Sequence, residues 1–468
     1  MSAESRRPIA DLADATAYLE GLINRERQAD FAYARLDLRP IHALLDRLGR
    51  PERALSVVHV AGSKGKGSTC LFAESILRAA GEQVGCFTSP HLESWVERFR
   101  LGGRPVDAAA LARAVERIRP IVDDLREGPR ETMPSFFDAT TAVSFLLFAE
   151  AGVDRALVEV GLGGRLDSTN VVDPAVTCIT SIELEHTDKL GHTEAAIAGE
   201  KAGILKPGRP AILGPLRPEA ARVIRGRARD LDAPVYALGE HFEVEATAAR
   251  PGDGRRVARY RETGDGRRVA RDRETGDGGF EVSFELGVPG EAALRNAALA
   301  IACTRALGAI DAERLKEAVR EGLGHCVLPA RIEVLREDPQ VIVDAAHTTE
   351  SARALAEVLA SIAPEGVDLL LSVSGDKNLD ALLEALLPLT RRVWVTRADP
   401  IRSMPADTLA KRVAERAPAL AVEIEPDPEQ AARRARLELA SGVRLCATGS
   451  VYLAGIVRRV LAAGGAGA

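Results

Sequence analysis

The chain of 468 residues contains no run of about 18 apolar residues, the length a membrane-crossing helix needs. Its opening stretch, MSAESRRPIADLADA, has no apolar core of the kind that marks a secretory signal. A cytoplasmic protein with no membrane partner is therefore expected. Positive charge is not in excess either: 62 Lys and Arg against 68 Asp and Glu give a net charge of −6. Gripping a nucleic-acid backbone requires a basic face, so nucleic acid is not an expected partner. Cysteine is sparse. The six residues Cys70, Cys86, Cys178, Cys303, Cys326 and Cys446 are scattered and form no Cys-x-x-Cys pair, which removes the common zinc and dithiol patterns. Five of them lie in or beside apolar runs, and buried thiols are expected.

What is present is alternation. Residues 9 to 50 read as helical, with apolar residues of IHALLDRLGRP recurring every three or four positions before a Gly and Pro stop. Short apolar strands follow, ALSVVHVAG, EQVGCFTSP, DRALVEVGLGG and AVTCITSIELEH, with helices such as STCLFAESILRAAG and FFDATTAVSFLLFAEAG among them. Strands buried on both faces and alternating with helices predict a mostly parallel sheet. From about residue 340 a second set begins: QVIVDAAH, VDLLLSVSGDK, RRVWVTRADP, LAVEIEP and VRLCATGS. The fold class is α/β: an N-terminal, P-loop-type, mostly parallel sheet flanked by helices, and a smaller Rossmann-like C-terminal domain. The second set lacks Gly-x-Gly-x-x-Gly, so no dinucleotide is assigned to it. Between the sets, GDGRRVARYRET (252–263) is followed at once by GDGRRVARDRET (264–275). A period of twelve is too short for a solenoid unit and suggests hairpin strands or a surface excursion.

The stretch VAGSKGKGST (60–69) resembles a phosphate loop without meeting the Walker A spacing, because Val60 stands five before Gly65 and Gly67 separates Lys66 from Ser68. A strand ends at Val60 and a helix is expected to begin near Ser68, pointing its N–H groups at the loop. Lys66 could neutralise a terminal phosphate, and Ser68 or Thr69 could bind phosphate or Mg²⁺. The other strands end in Thr88-Ser89-Pro90-His91, in Glu159 and in His186. Singly, Glu159 could be a solvated strand end and His186 a core-edge histidine. Together, at one edge of one sheet, they suggest a metal–phosphate site.

The order of blocks HVAGSKGKGST, FTSPHL, VEVGLGGRLDSTNVV, EHTDKLG, EKAGILKPG, ARIEVL, VDAAH and TGSVYL resembles the Mur ligase superfamily, in its dihydrofolate synthase/folylpolyglutamate synthase branch. The resemblance implies an ATP-dependent ligase joining L-glutamate to dihydropteroate or a reduced folate through an acyl phosphate. It implies domains at 1–328 and 329–468, with the repeat as an insertion at about 250–279. By the same resemblance Gly62, Ser63, Lys64, Gly65, Lys66, Gly67 and Ser68 hold phosphate, Asn296 lies on the adenine side, and Arg331 and Asp344 contact nucleotide. Ser89, Glu159 and His186 would hold Mg²⁺, with Lys201 carbamylated to hold a second ion. His347 and Ser450 would hold the incoming glutamate and Arg98 the folate. Lys66, Lys201, His186, Arg331 and His347 form the implied catalytic set. Small-molecule substrates suffice for this chemistry, and a monomer is expected.

The chain departs from that pattern in several places. Lys64 replaces Asn, Ala292-Ala293 replaces His-Gln, Thr348 replaces Asn after the His347 motif, and Glu183 and Glu185 replace Gly and Asp. Two other readings stay open: a Mur-type ligase for another carboxylate, and a weakened ATP-binding paralogue. The first expects a UDP-holding domain ahead of the loop, and a strand starting near Leu55 leaves little room for one.

Overall fold

The computed structural model describes residues 8–23, 36–247, 250, 253–263, 269, 279–308, 310–337, 340–375 and 377–462. The chain divides into two compact units. One comprises Met1–Glu245, Arg259–Phe284 and Arg295–Gly324; the other comprises Ala246–Ala258, Glu285–Leu294 and His325–Ala468.

The first unit is built on eight strands: β1 (Ser56–Ala61), β2 (Val84–Phe87), β3 (Phe99–Leu101), β4 (Arg104–Pro105), β5 (Arg155–Glu159), β6 (Val176–Ile179), β7 (Ala211–Leu213) and β8 (Val235–Ala237). Their order across the sheet is β4-β3-β2-β5-β1-β6-β7-β8. From β2 to β8 every pairing is parallel, while β3 and β4 add an antiparallel edge. The central strands β2, β5, β1 and β6 are mostly apolar and buried along nearly their whole length, as expected of a parallel sheet covered by helices on both faces. One of them, Phe136–Glu150, is buried along nearly all of its length and starts at a capping box in which Ser135 and Asp138 exchange hydrogen bonds. Two of its interior hydroxyls return to the helix: Thr140 donates to the Phe136 carbonyl and Ser144 to that of Thr141.

Three further strands, β9 (Phe242–Ala246), β10 (Arg256–Glu262) and β11 (Glu281–Leu286), form a small sheet in the order β11-β10-β9. The first copy of the twelve-residue repeat supplies β10, in which Arg259 and Arg261 are exposed while Ala258 and Tyr260 are buried and Arg256, on their face, is half-buried. Apart from Val269, the second copy lies outside the described residues.

The second unit carries β12 (Glu333–Glu337), β13 (Gln340–Val343), β14 (Val367–Leu371), β15 (Thr390–Val395), β16 (Ala421–Ile424) and β17 (Arg444–Thr448), ordered β12-β13-β17-β14-β15-β16. Only the edge strand β12 runs antiparallel. The central strand β14, Val-Asp-Leu-Leu-Leu, is buried throughout, and the edge strand β16 has no fully buried residue. All six cysteines are buried and free. Among the described residues no helix is long and apolar enough to cross a membrane.

One helix contact positions the helix that follows the glycine-rich loop. Helix Lys66–Ala79 lies against helix Ala312–Gly324, where a Cβ on Gly322 would come 2.8 Å from the backbone of Ser75. Ser75 also donates its hydroxyl to the Gly322 carbonyl at 2.8 Å. Backbone cannot yield to a branched side chain there. Gly322→Val is expected to cost about 1–3 kcal/mol, read as a lower midpoint in thermal unfolding; an unchanged midpoint would show that the two helices separate freely.

Candidate active site

The glycine-rich loop 62–67 leaves β1 through a glycine whose place a larger residue could not take without displacing Thr180. Gly62 has φ +149°, and a Cβ there would sit 1.9 Å from the Thr180 hydroxyl. Gly65 has φ +84°, and its Cβ would lie 2.4 Å from Oδ1 of Asn296. The helix begins at Lys66, two residues earlier than the spacing suggested, so Gly67 is already in its first turn. That glycine faces Glu159: a Cβ would stand 3.2 Å from Oε2. The loop is bound to the segment after β6. Ser63 N–H donates to the Ser181 carbonyl at 2.9 Å, Lys64 N–H to the Ser181 hydroxyl at 2.9 Å, and Glu183 N–H to the Ser63 hydroxyl at 2.9 Å. Lys64 is tied by its backbone while its side chain is exposed.

Register brings the remaining first-unit residues to this loop. Val60 of β1 pairs with Glu159 of β5, Phe87 of β2 with Val158, and Ala61 with Ile179 of β6. The carboxyl ends of β2, β5, β1 and β6 are thus adjacent, and they lead into Ser89, Glu159, the loop and His186. Glu159 is buried rather than solvated, and its Oε2 accepts the Ser89 N–H at 2.9 Å. His186 has a left-handed backbone at φ +47°, uncommon for a residue with a side chain and concentrated at functional sites. Burial holds its imidazole below the ordinary range.

Lys201, at the end of helix Glu194–Lys201, is 2% exposed. The adjacent Glu200 does not pair with it along the helix but turns to Arg165 at 2.8 Å. Lys201 Nζ donates to the Gly62 carbonyl at 2.9 Å and to Glu185 at 3.0 Å. Lys66 Nζ donates to that same Gly62 carbonyl at 3.0 Å. Burial, reinforced by the Lys66 charge, brings the Lys201 ammonium down to about 8. Burial alone would raise the Glu185 carboxyl, but Lys201 and Lys66 outweigh it and hold it below the usual range.

Arg98 is buried beside the loop that follows β2. Its Nε donates to Nδ1 of His91 at 2.9 Å, and its guanidinium lies 4.8 Å from the Trp95 ring and 5.6 Å from that of Phe136. In the second unit, Asp344, His347 and Ser450 follow the neighbouring parallel strands β13 and β17, and Gly449 N–H donates to the Ala346 carbonyl at 3.0 Å. Asp344 is buried, and its two oxygens accept the N–H groups of Ile332 and Ala346, each at 2.8 Å. Burial raises its carboxyl against the opposing Arg331 charge. His347 Nδ1 lies 2.8 Å from the Ala345 carbonyl. Thr348 caps helix Thr349–Ile362 by accepting the Ser351 N–H, a role threonine fills somewhat less strongly than the asparagine it replaces. Thr180 and Ser181, which fasten the loop, carried no signal in the motifs.

Among the described residues no three His, Cys, Asp or Glu side chains converge as a metal cage. Mg²⁺ is commonly held by one or two carboxylates together with phosphate and water, and a lone carboxylate beside a phosphate loop fits that habit. Glu159, 3.2 Å from the position of a Gly67 Cβ, is such a carboxylate.

Comparison with known proteins decides the family. Residues 60–304 match the Mur ligase middle domain and residues 330–451 the Mur ligase glutamate ligase domain. The chain belongs to the Mur ligases. Within them it falls in the dihydrofolate synthase/folylpolyglutamate synthase branch. The ligase is 34% identical over 394 residues to the dihydrofolate synthase/folylpolyglutamate synthase of Mycobacterium tuberculosis, covering 80% of this chain and 77% of that protein. With the Bacillus subtilis enzyme of the same name it shares 32% over 421 residues, covering 89% and 93%. Its fold matches the M. tuberculosis folylpolyglutamate synthase solved with ADP and AMPPCP at a TM-score of 0.79 and 33% identity, over 92% of this chain and 96% of that one. Escherichia coli FolC in complex with DHPP and ADP superposes at 0.76 with 28% identity, over 98% and 99%.

The loop geometry of the ligase yields a direct expectation. Gly62→Ala would drive a methyl into Thr180 at a φ that alanine resists, displacing the carbonyl that both lysines use. Nucleotide affinity measured by calorimetry is expected to fall by at least about tenfold, or about 1.4 kcal/mol, with the circular dichroism spectrum retained. Wild-type affinity would mean that the loop does not hold nucleotide in this geometry.

Proposed function

We propose that the site uses ATP to phosphorylate the carboxylate of dihydropteroate or a reduced folate, and then passes the acyl group to the amine of L-glutamate. The observation that carries this reading is the single Gly62 carbonyl bonded by both Lys66 and Lys201, beside the phosphate loop and the Glu159 carboxylate. Two cations and one acidic metal ligand at a helix N-terminus suit a transferring phosphoryl group, whose catalysis rests on positioning and charge neutralisation.

In this reading the loop from Gly62 to Ser68 holds the phosphates, Lys66 neutralises the terminal one, and Asn296 lies toward the adenine. Ser89, Glu159 and neutral His186 would hold Mg²⁺, which supplies Lewis-acid charge stabilisation when bound. Arg331 and Asp344 serve the nucleotide, His347 and Ser450 hold glutamate, and Arg98 lies on the side of the pterin acid.

Lys201 is the residue whose electrostatics favour modification. Carbamylation requires a neutral amine to add to CO₂. With its ammonium brought down to about 8, far more of the side chain is neutral near physiological pH than for an unperturbed lysine. The resulting carbamate exchanges a cation for an oxygen ligand able to bind a second Mg²⁺.

The function is tested by phosphate release from Mg²⁺-ATP and L-glutamate with dihydropteroate in one tube and tetrahydrofolate in another. Release dependent on at least one acceptor is expected; none in either would sink the reading.

The carbamate has its own test. Lys201→Ala is expected to remove turnover, and ¹³C-labelled bicarbonate should give a carbamate resonance in the wild type that the variant lacks. Because lowering the pH converts the reactive amine to ammonium, occupancy at fixed dissolved CO₂ should drop as pH falls below about 8. Near wild-type turnover in the variant, or no resonance, would remove the carbamate.

A further inference from the structure

The segment that carries Arg331 is wound in an unusual way. Ala330 has φ +52° and Ile332 has φ +49°, so left-handed residues flank the arginine on both sides. Alanine resists that conformation and β-branched isoleucine resists it more. Such backbone persists only where its surroundings over-determine it. Here the surroundings can be named.

Glu333 is buried, and its Oε2 accepts the Ala330 N–H at 2.8 Å. Asp344 Oδ2 accepts the Ile332 N–H at 2.8 Å. The Ala330 carbonyl accepts the Ala345 N–H at 3.0 Å and Nη1 of Arg331 at 3.0 Å. Arg331 is thus tethered to the residue that Glu333 holds. Glu333 in turn receives Nε of Arg458 at 2.7 Å on the same oxygen, from helix Val451–Ala462. The side chains of this pair are 23% exposed at Arg458 and 7% at Glu333.

We propose that Glu333 and Arg458 are positioning residues for Arg331, an inference that rests on the reading of Arg331 as a contact to the terminal phosphates. A buried carboxylate keeps its place only while it is paired and hydrogen-bonded. Arg458 keeps Glu333 over the Ala330 N–H, Glu333 keeps Ala330 left-handed, and Ala330 presents its carbonyl to the Arg331 guanidinium. Loss of the pair lets the turn relax and swings the guanidinium away, with no atom of Glu333 or Arg458 touching substrate. The charge is thereby lost at the step that needs it, so kcat carries the effect.

The test is a double-mutant cycle with turnover, KM and thermal midpoint measured throughout. Glu333→Ala is expected to lower kcat by about tenfold with KM for L-glutamate within about twofold, and Glu333→Gln, which keeps an acceptor for Ala330, to recover part of the loss. In an Arg331→Ala background, Glu333→Ala should cost less than about a further twofold, because its effect runs through the missing side chain. A purely structural role would instead lower the thermal midpoint and multiply with Arg331→Ala. If Glu333→Ala does not fold, Arg458→Met, which retains an aliphatic stem, is put through the same cycle. Multiplicative losses, or wild-type kcat with the pair broken while Arg331→Ala is impaired, overturn this inference alone. A silent Arg331→Ala overturns the reading of Arg331, and this inference with it.

Discussion

Two ammonium groups share one carbonyl oxygen, and much of the first unit is arranged around that fact. Lys66 and Lys201 both donate to Gly62, which brings like charges together at the edge of a packed sheet. The repulsion, added to desolvation, draws the Lys201 ammonium down to about 8. Glu185 offsets part of it from one side. Glu159, buried beside Gly67, sets a second carboxylate close to the same loop.

For the carbonyl to be shared, the loop must pass close beneath Thr180, and that requirement falls on a glycine with φ +149°. Thr180 and Ser181 hold the Lys64 carbonyl from the following strand end. The glycines of the loop therefore answer to three separate neighbours: Thr180 at Gly62, Asn296 at Gly65 and Glu159 at Gly67. Gly67 explains the failed Walker A spacing in physical terms. The helix has already begun, and its first turn must leave room for a carboxylate.

Much of this was legible in the sequence because period and strand ends are local signals. The apolar runs around Val60, Phe87, Val158 and Ile179 marked parallel strands, and a parallel sheet forces their carboxyl ends together. The burial of Lys201 was not legible. Glu-Lys in a helix reads as a surface pair, and only the tertiary pairing of Glu200 with Arg165 releases the lysine inward. The antiparallel edge of β3 and β4 was too short to register as periodicity. Thr180 and Glu333 act through hydrogen bonds to backbone more than a hundred residues away or within a strained turn, and no spacing rule marks such residues. The Mur-type blocks located the positions of Asp344 and Arg331, but not the left-handed residues that surround them.

The residues that depart from the family blocks are tolerated for reasons that differ from place to place. Lys64 contributes backbone to the loop and leaves its charge in solvent, where screening makes it cheap to keep. Thr348 does what the job requires of that position, which is to cap a helix. Glu185 is bound to Lys201. The first unit positions charge by removing side chains, with glycine wherever a neighbour must approach. The second unit, around Arg331, positions charge by adding them, using the carboxylates of Glu333 and Asp344 to hold left-handed alanine and isoleucine. Glycine at Ala330 or Ile332 would adopt the same angles without strain, but it would adopt others as readily. A side chain that resists the turn, held there by buried carboxylates, leaves Arg331 one backbone geometry instead of many.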